Sequence, residues 1–172
     1  MPKKTKEALV NAFLELVKEE PFDKITVTDL VEKCNISRQT FYYHFDDIQR
    51  MLEWAFDSET KAVCALTDSD DLSSNEERYI EFFNRYDTML RKTLNSVKFI
   101  NIFNLIEKSF YDCITFYVSS IRNDEQNIGK NVEYVISYTA GAYTALIIKT
   151  IQSEKSDYET IIKNLSASLK AI

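Results

Sequence analysis

Glycine and proline are nearly absent from this chain: its 172 residues include only Gly129, Gly141, Pro2 and Pro21. β-rich folds need many tight turns, and tight turns draw heavily on these two residue types. Their scarcity argues for helices joined by few connections, so the expected fold class is all-α, with about nine helices. Hydrophobic residues at 45% and aromatics at 13% supply enough apolar surface for a packed core and exclude a disordered chain.

The first fifty residues carry the densest local signals. Leu9, Ala12, Phe13, Leu16 and Val17 recur at helical spacing, which predicts an amphipathic helix over Lys6–Glu19. Pro21 ends it, because the residue before a proline avoids the α region. Thr26-Val27-Thr28-Asp29 then reads as a capping box opening a short second helix whose buried side is Leu30, Val31 and Cys34. Asn35 stands where a tight turn needs a residue tolerant of a left-handed backbone, and Ser37 is a strong N-cap for a third helix. Helix, short turn, helix is the layout that sets a recognition helix into the DNA major groove.

With Phe41 facing inward, about 100° per residue puts Phe45 on the same side of the third helix and turns Gln39 and Tyr43 outward. Thr40 and Tyr42 flank them, with Arg38 and His44 nearer the base. Amide, guanidinium and methyl groups can read base edges, while phenols and helix-end amides suit phosphate oxygens. An aromatic run is by default core, but a core reading of Phe41-Tyr42-Tyr43-His44-Phe45 would need partners on every side of one thin helix. At least two of these rings should be exposed, and exposed aromatics call for a partner.

The string Ile25-Thr26-Val27-Thr28-Asp29-Leu30, followed by Asn35-Ile36-Ser37-Arg38-Gln39-Thr40-Phe41-Tyr42-Tyr43-His44-Phe45, resembles the DNA-binding domain of the tetracycline-repressor (TetR) family. The likeness spans about Lys6 to Phe56. The wording Phe22-Asp23-Lys24-Ile25-Thr26 and Tyr42-Tyr43-His44-Phe45-Asp46-Asp47-Ile48 is also similar to the branch that holds regulators of dihydroxyacetone kinase operons. The resemblance implies a homodimer that grips palindromic operator DNA, more often repressing than activating, with a helical C-terminal domain that senses a small-molecule effector. Arg38, Gln39, Thr40 and Tyr43 would then face bases, Tyr42 and His44 would hold phosphates, and Thr26 and Thr28 would lie at the DNA backbone. Two features depart from the family pattern. Asn35 replaces the usual Gly, and Asp46-Asp47 stand where Lys is frequent. Asp47 is read as a cap for the fourth helix; the other reading is weaker DNA binding through repulsion.

On this basis residues 1–47 are expected to form the helix-turn-helix domain and residues 48–172 a helical domain for dimerisation and effector binding. In the latter, Thr67 to Asn75 and Arg122 to Lys130 read as loops, with a break near Asn95-Ser96. Tyr79, Phe82, Phe83, Tyr86 and Leu90 stripe one helix, and Phe103, Ile106, Phe110, Cys113, Tyr117 and Ile121 the next. Phe82, Phe83, Tyr86, Phe103, Phe110 and Tyr117 are either the lining of an effector cavity or ordinary core. Over Asn131–Gln152, one apolar stripe runs Val132, Val135, Ile136, Thr139, Tyr143, Leu146, Ile147. A second runs Tyr134, Tyr138, Gly141, Ala145, Ile148. Two apolar faces must both be buried, either between copies of the chain, using about residues 131–170, or inside a larger single bundle. The final helix adds Tyr158, Ile161, Ile162, Leu165 and Leu169.

Charge gives no help to the DNA reading. The net charge is −6, and residues 1–50 hold eight Lys/Arg against nine Asp/Glu. Lys3, Lys4 and Lys6 are either a phosphate-seeking arm or a solvated helix start. This balance keeps a rival function in view, a protein-interaction adaptor with the same fold and weakened DNA binding. An enzyme has little support, with one histidine, no Gly-rich phosphate loop and no metal-ligand spacing; no cofactor or metal is expected. Cys34, Cys64 and Cys113 are odd in number and widely spaced, which fits reduced thiols. The start lacks an apolar signal core and no apolar run approaches ~18 residues, so a soluble, cytoplasmic protein is expected.

Overall fold

The structure is a computed structural model that describes residues 2–64, 72–96, 98–122 and 130–170. Among them are eight α-helices: α1 (Pro2–Glu19), α2 (Val27–Lys33), α3 (Arg38–His44), α4 (Ile48–Cys64), α5 (Leu72–Thr93), α6 (Phe99–Arg122), α7 (Lys130–Gln152) and α8 (Tyr158–Lys170). A single 3-10 turn, Phe22–Lys24, stands between α1 and α2, and no strand occurs among the described residues. None of these helices is long and apolar enough to cross a membrane.

Helix α1 buries Leu9, Val10, Phe13, Leu14 and Val17 against α2, α4 and α5. It begins earlier than its apolar stripe, so Lys3, Lys4 and Lys6 are helical and do not form an extended arm. Phe22 folds back onto Phe13, ring centroids 5.5 Å apart in an edge-on pair. Helix α4 then runs from the N-terminal module into the bundle, burying Met51, Leu52, Ala55, Phe56 and Val63 and packing on α1, α5 and α6.

The bundle core is aromatic. Phe82 meets Phe56 at 4.9 Å, and Phe83 stacks on Phe110 at 5.7 Å and on Tyr158 at 5.4 Å. At its centre three hydroxyls join α4, α5 and α6. Ser109 Oγ lies 2.6 Å from Thr60 Oγ1 and 2.7 Å from the Tyr79 hydroxyl, while Thr60 Oγ1 donates to the Phe56 carbonyl at 2.9 Å. Each buried hydroxyl is thereby satisfied.

Three segments differ from the sequence expectation. Residues 72–75 open α5 instead of extending the loop, and Asn75 lines a small cavity shared with Ser166 of α8; a polar composition concealed that position. Residues 67–71 and 123–129, and the side chain of Ile121, lie outside the described residues. On α6 the fully buried line is Ile102, Ile106, Phe110, Ile114 and Val118, with Phe103, Cys113 and Tyr117 half-buried beside it. Packing against both α4 and α7 widens and rotates the buried arc. On α7 the buried line is Ile136, Ala140, Thr144, Ile147 and Ile151, which leaves Val135 and Leu146 exposed.

Polar clamps hold the N-terminal module to the bundle. Lys92 Nζ donates to the carbonyls of Lys18 at 2.9 Å and Glu20 at 3.2 Å, placing a cation at the negative end of α1. Arg85 reaches Glu59 on α4 at 2.7 Å and Asn11 on α1 at 2.6 Å. Farther on, Asp87 accepts from Ser156, from the Tyr158 hydroxyl at 2.7 Å and from Arg91 at 2.9 Å, fixing the α7–α8 turn on α5. Arg91 also donates to the carbonyls of Ile151 and Ser153.

Burial alone would raise the Asp87 carboxyl, but the hydrogen bonds from Ser156, Tyr158 and Arg91, with the Arg91 charge, hold it below the ordinary carboxylate range. Its stabilising effect is therefore complete above the unfolded carboxylate value of about 4 and is lost as pH falls through the lowered native value. We expect Asp87→Asn to destabilise the fold by about 1–3 kcal/mol at neutral pH and to weaken the acid dependence. Thermal melts followed by circular dichroism from about pH 2 to pH 7 test this; parallel curves for both proteins would contradict it.

Candidate nucleic-acid interface

The connection between α2 and α3 is specified by its caps. Thr26 accepts from the Asp29 amide at 3.4 Å while Asp29 Oδ2 accepts from the Thr26 amide and hydroxyl, each at 2.7 Å. This reciprocal capping box starts α2. The side-chain and backbone hydrogen bonds from Thr26 also hold the Asp29 carboxyl below its usual value. Helix α2 ends in a Schellman turn: the Ile36 amide donates to the Val31 carbonyl at 2.9 Å and the Asn35 amide to Glu32 at 3.1 Å. Asn35 supplies the left-handed residue this turn needs, with φ of 52°. Ser37 then caps α3, accepting from the Thr40 amide at 3.0 Å.

These caps aim α3. Phe41 and Phe45 are buried, with ring centroids 6.0 Å apart. Phe45 continues to Trp54 of α4 at 5.8 Å, and the Lys6 ammonium lies over both rings, 5.0 and 5.2 Å from their centroids. With that side fixed, the opposite side faces solvent. Tyr43 is 81% exposed and Tyr42 56%, and Arg38 and Gln39 are exposed as well. Thr40 is half-buried, its hydroxyl 2.8 Å from that of Ser37. His44 is half-buried between the Tyr43 and Phe45 rings, at 5.0 and 6.4 Å.

Of the eight residues singled out in the sequence, Arg38, Gln39, Tyr42 and Tyr43 form the outer surface of α3, with Thr40 and His44 at its margins. Thr26 and Thr28 join them from α2. Arg38 Nη2 donates to Thr28 Oγ1 at 2.5 Å, so the starts of the two helices are linked directly. Sequence reasoning did not foresee that link, since ten positions separate its partners. Nor did it foresee Lys6, whose charge rests on aromatic rings instead of in an arm. Asp47 caps α4, its carboxylate accepting from the Arg50 amide at 2.7 Å, while Asp46 is exposed.

Of the aromatic set considered for an effector, Tyr117, Tyr86 and Phe82 each border a hollow, but most of the set is packed ring on ring. Phe82, Phe83, Tyr86 and Phe110 are buried in mutual ring contacts, because rings of this size on adjacent turns fill the space between helices. A cavity of about 540 Å³ opens instead between α4 and α6, with Gln49, Arg50, Trp54, Asn101, Lys108 and Asp112 among its walls. Most of its wall residues are polar positions between apolar stripes, joined by Trp54, Phe56 and Leu105, and a search confined to the α5 and α6 aromatics passes over it.

The turn makes a stability prediction. A β-branched side chain in the left-handed region is strained, so Asn35→Val should cost about 1–2 kcal/mol, whereas Asn35→Gly should hold or raise stability. Urea unfolding followed by helical ellipticity distinguishes them; equal losses in both variants would refute this account of the turn.

Residues 9–54 match the family described as "Bacterial regulatory proteins, tetR family". Across 178 residues, covering 96% of this chain and 91% of the relative, the sequence is 22% identical to "HTH-type dhaKLM operon transcriptional activator DhaS" of Lactococcus lactis subsp. lactis (strain IL1403). The solved structure of "Dihydroxyacetone kinase operon activator DhaS" has the same fold, with a TM-score of 0.74 over 97% of this chain and 94% of that one at 18% identity. Both names agree with the branch suggested by the residues around the helix-turn-helix. In the helix-turn-helix region, residues 9–54, the chain is thus similar to the tetR family of bacterial regulatory proteins.

Proposed function

We propose that this protein is a homodimeric transcriptional regulator that sets α3 into the major groove of a palindromic operator and responds to a small-molecule effector. The observation that carries the reading is the outer surface of α3, where Arg38, Gln39, Tyr42 and Tyr43 are exposed on a helix whose other side is anchored by Phe41 and Phe45. In this reading Arg38, Gln39, Thr40 and Tyr43 meet base edges, Tyr42 and His44 meet phosphates, and Thr26 and Thr28 approach the backbone at the start of α2. The Arg38–Thr28 bond favours this use, because it prearranges both groups on one surface.

Repression is commoner in the family, but both relatives are named operon activators, which favours activation. The cavity between α4 and α6 supports effector binding. Its volume lies within the range of small-molecule sites, and its walls include Gln49 and Arg50 in the first turn of α4, the helix that follows α3. A ligand there would bias the angle of α4 and thereby the position of α3.

Dimerisation is supported by α7. Tyr138 is 81% exposed and Tyr134 74%, with Val135 and Leu146 also on the surface. A Cβ at Gly141 would meet open space, so nothing inside the protomer calls for glycine in a helix interior, where it costs about 1 kcal/mol against alanine. A partner helix crossing there would account for it. Helix α8 turns Tyr158, Ile162, Leu165 and Leu169 into its own protomer, so α7 supplies most of the apolar contact between copies.

Two measurements follow. Gln39→Ala should weaken operator binding by about 1–3 kcal/mol and relax preference at one base pair, whereas Tyr42→Phe should weaken all sequences alike. Competitive anisotropy with single-base operator variants reads this, and unchanged discrimination in Gln39→Ala would refute its base-reading role. Tyr138→Glu should convert the dimer to a monomer of unchanged helicity in sedimentation velocity. A dimer as tight as wild type would remove α7 from the interface.

A further inference from the structure

Two of the three cysteines, 49 positions apart, meet in the fold. Cys64 is the last described residue of α4 and Cys113 lies in the middle of α6; both line one small cavity. The Cys113 thiol donates to Cys64, which holds Cys64 below the ordinary thiol value against the opposing effects of burial and Asp112, and raises Cys113. The pair therefore divides into a more acidic sulfur that can attack and a protonated sulfur beside it.

Both thiols open onto one cavity of about 50 Å³, whose walls include Phe116 and Leu165. By volume it admits molecules of water or peroxide size. Two other wall residues, Asn75 and Ser166, present a buried Oδ1 and a buried Oγ without a hydrogen-bond partner. A small donor lodged beside the sulfurs would satisfy both, and hydrogen peroxide carries two O–H groups.

We propose that Cys64 and Cys113 are a peroxide-responsive thiol pair that closes to a disulfide, tying the end of α4 to the middle of α6. The Cys64 thiolate attacks one oxygen of hydrogen peroxide; an S–O bond forms, the O–O bond breaks, and the departing hydroxide takes up a proton to leave as water. The Cys113 sulfur then attacks the Cys64 sulfenic acid. The S–S bond forms, the S–O bond breaks, and a second water leaves with the Cys113 proton. In sum, two thiols lose two electrons and two protons while one peroxide is reduced to two waters. Because both cysteines wall the same small cavity, closing the disulfide needs only a local approach of the two sulfurs. Cys34 is a built-in control. It lies in the N-terminal module, its thiol directed at the Ala8 carbonyl at 3.6 Å and pushed up by burial.

The test treats reduced, full-length protein with equimolar hydrogen peroxide, followed by non-reducing proteolysis and mass spectrometry. The expected result is the loss of two hydrogens, a Cys64–Cys113 linked peptide, and a Cys34 that still accepts alkylating reagent. Cys113→Ser should leave a sulfenic acid on Cys64 that dimedone traps. The bulkier tert-butyl hydroperoxide should react several-fold more slowly than hydrogen peroxide. Oxidation of Cys34 while Cys64 and Cys113 remain alkylatable would overturn the proposal, as would disulfides formed only between molecules. Equal rates with the two peroxides would overturn the role of the cavity.

Discussion

Phe41 on α3 and Phe45 at its C-cap are both buried, and the second of them joins Trp54 on α4. Full burial of a phenylalanine contributes roughly 1.5–3 kcal/mol, so a helix of only seven residues, too short to be stable alone, is held in one orientation by its neighbours. The surface it offers to solvent follows from that anchor. Tyr42 and Tyr43 cannot turn inward without pulling Phe41 and Phe45 out. The caps at Thr26 and Ser37 and the left-handed Asn35 fix where the helices begin and end, and the phenylalanines fix which way the last one faces.

The anchored module is not left to pivot freely. Lys92 on the α1 carbonyls, Arg85 between Asn11 and Glu59, and Ser96 on Asp23 at 2.8 Å tie it to α5 and the turn that follows. Asn101 of α6 donates to Gln49 of α4 at 2.9 Å. These bonds cross between elements and are largely solvent-exposed, so each contributes modestly and can be exchanged for water. Helix α4 is the continuous connection: its first turn lies beside α3 and borders the α4–α6 cavity, and its last described residue borders the small cavity beside Cys113. A ligand or a covalent link acting on the bundle therefore has a direct mechanical route to α3.

What the sequence disclosed and what it hid separate by range. Capping box, Schellman asparagine, serine N-cap and inward Phe41 all lie within a few residues of their partners, and spacing alone locates them. The family likeness rests on that same stretch, and the family match covers it. Arg38 with Thr28, Lys6 with Phe45 and Trp54, and Cys64 with Cys113 depend on how helices dock, which periodicity does not encode. Asn75 was hidden for a different reason, since a polar residue facing a cavity looks like a loop residue. The aromatic set on α5 and α6 was open to two readings because rings at helical spacing look alike whether they line a hollow or fill one; here Phe83 and Phe110 fill the core, while Tyr117 and Tyr86 border hollows.

The central claim is that the outer surface of α3 reads DNA despite a net charge of −6. The most direct measurement is fluorescence anisotropy of the wild-type protein with fragments of its own upstream DNA, repeated at several salt concentrations. The account predicts binding to one palindromic fragment far tighter than to the others, weakening steeply with salt as phosphate contacts release counterions. Uniform binding across all fragments, no tighter than the roughly 10⁻⁴–10⁻⁶ M of non-specific association, would contradict it and favour a protein-interaction adaptor.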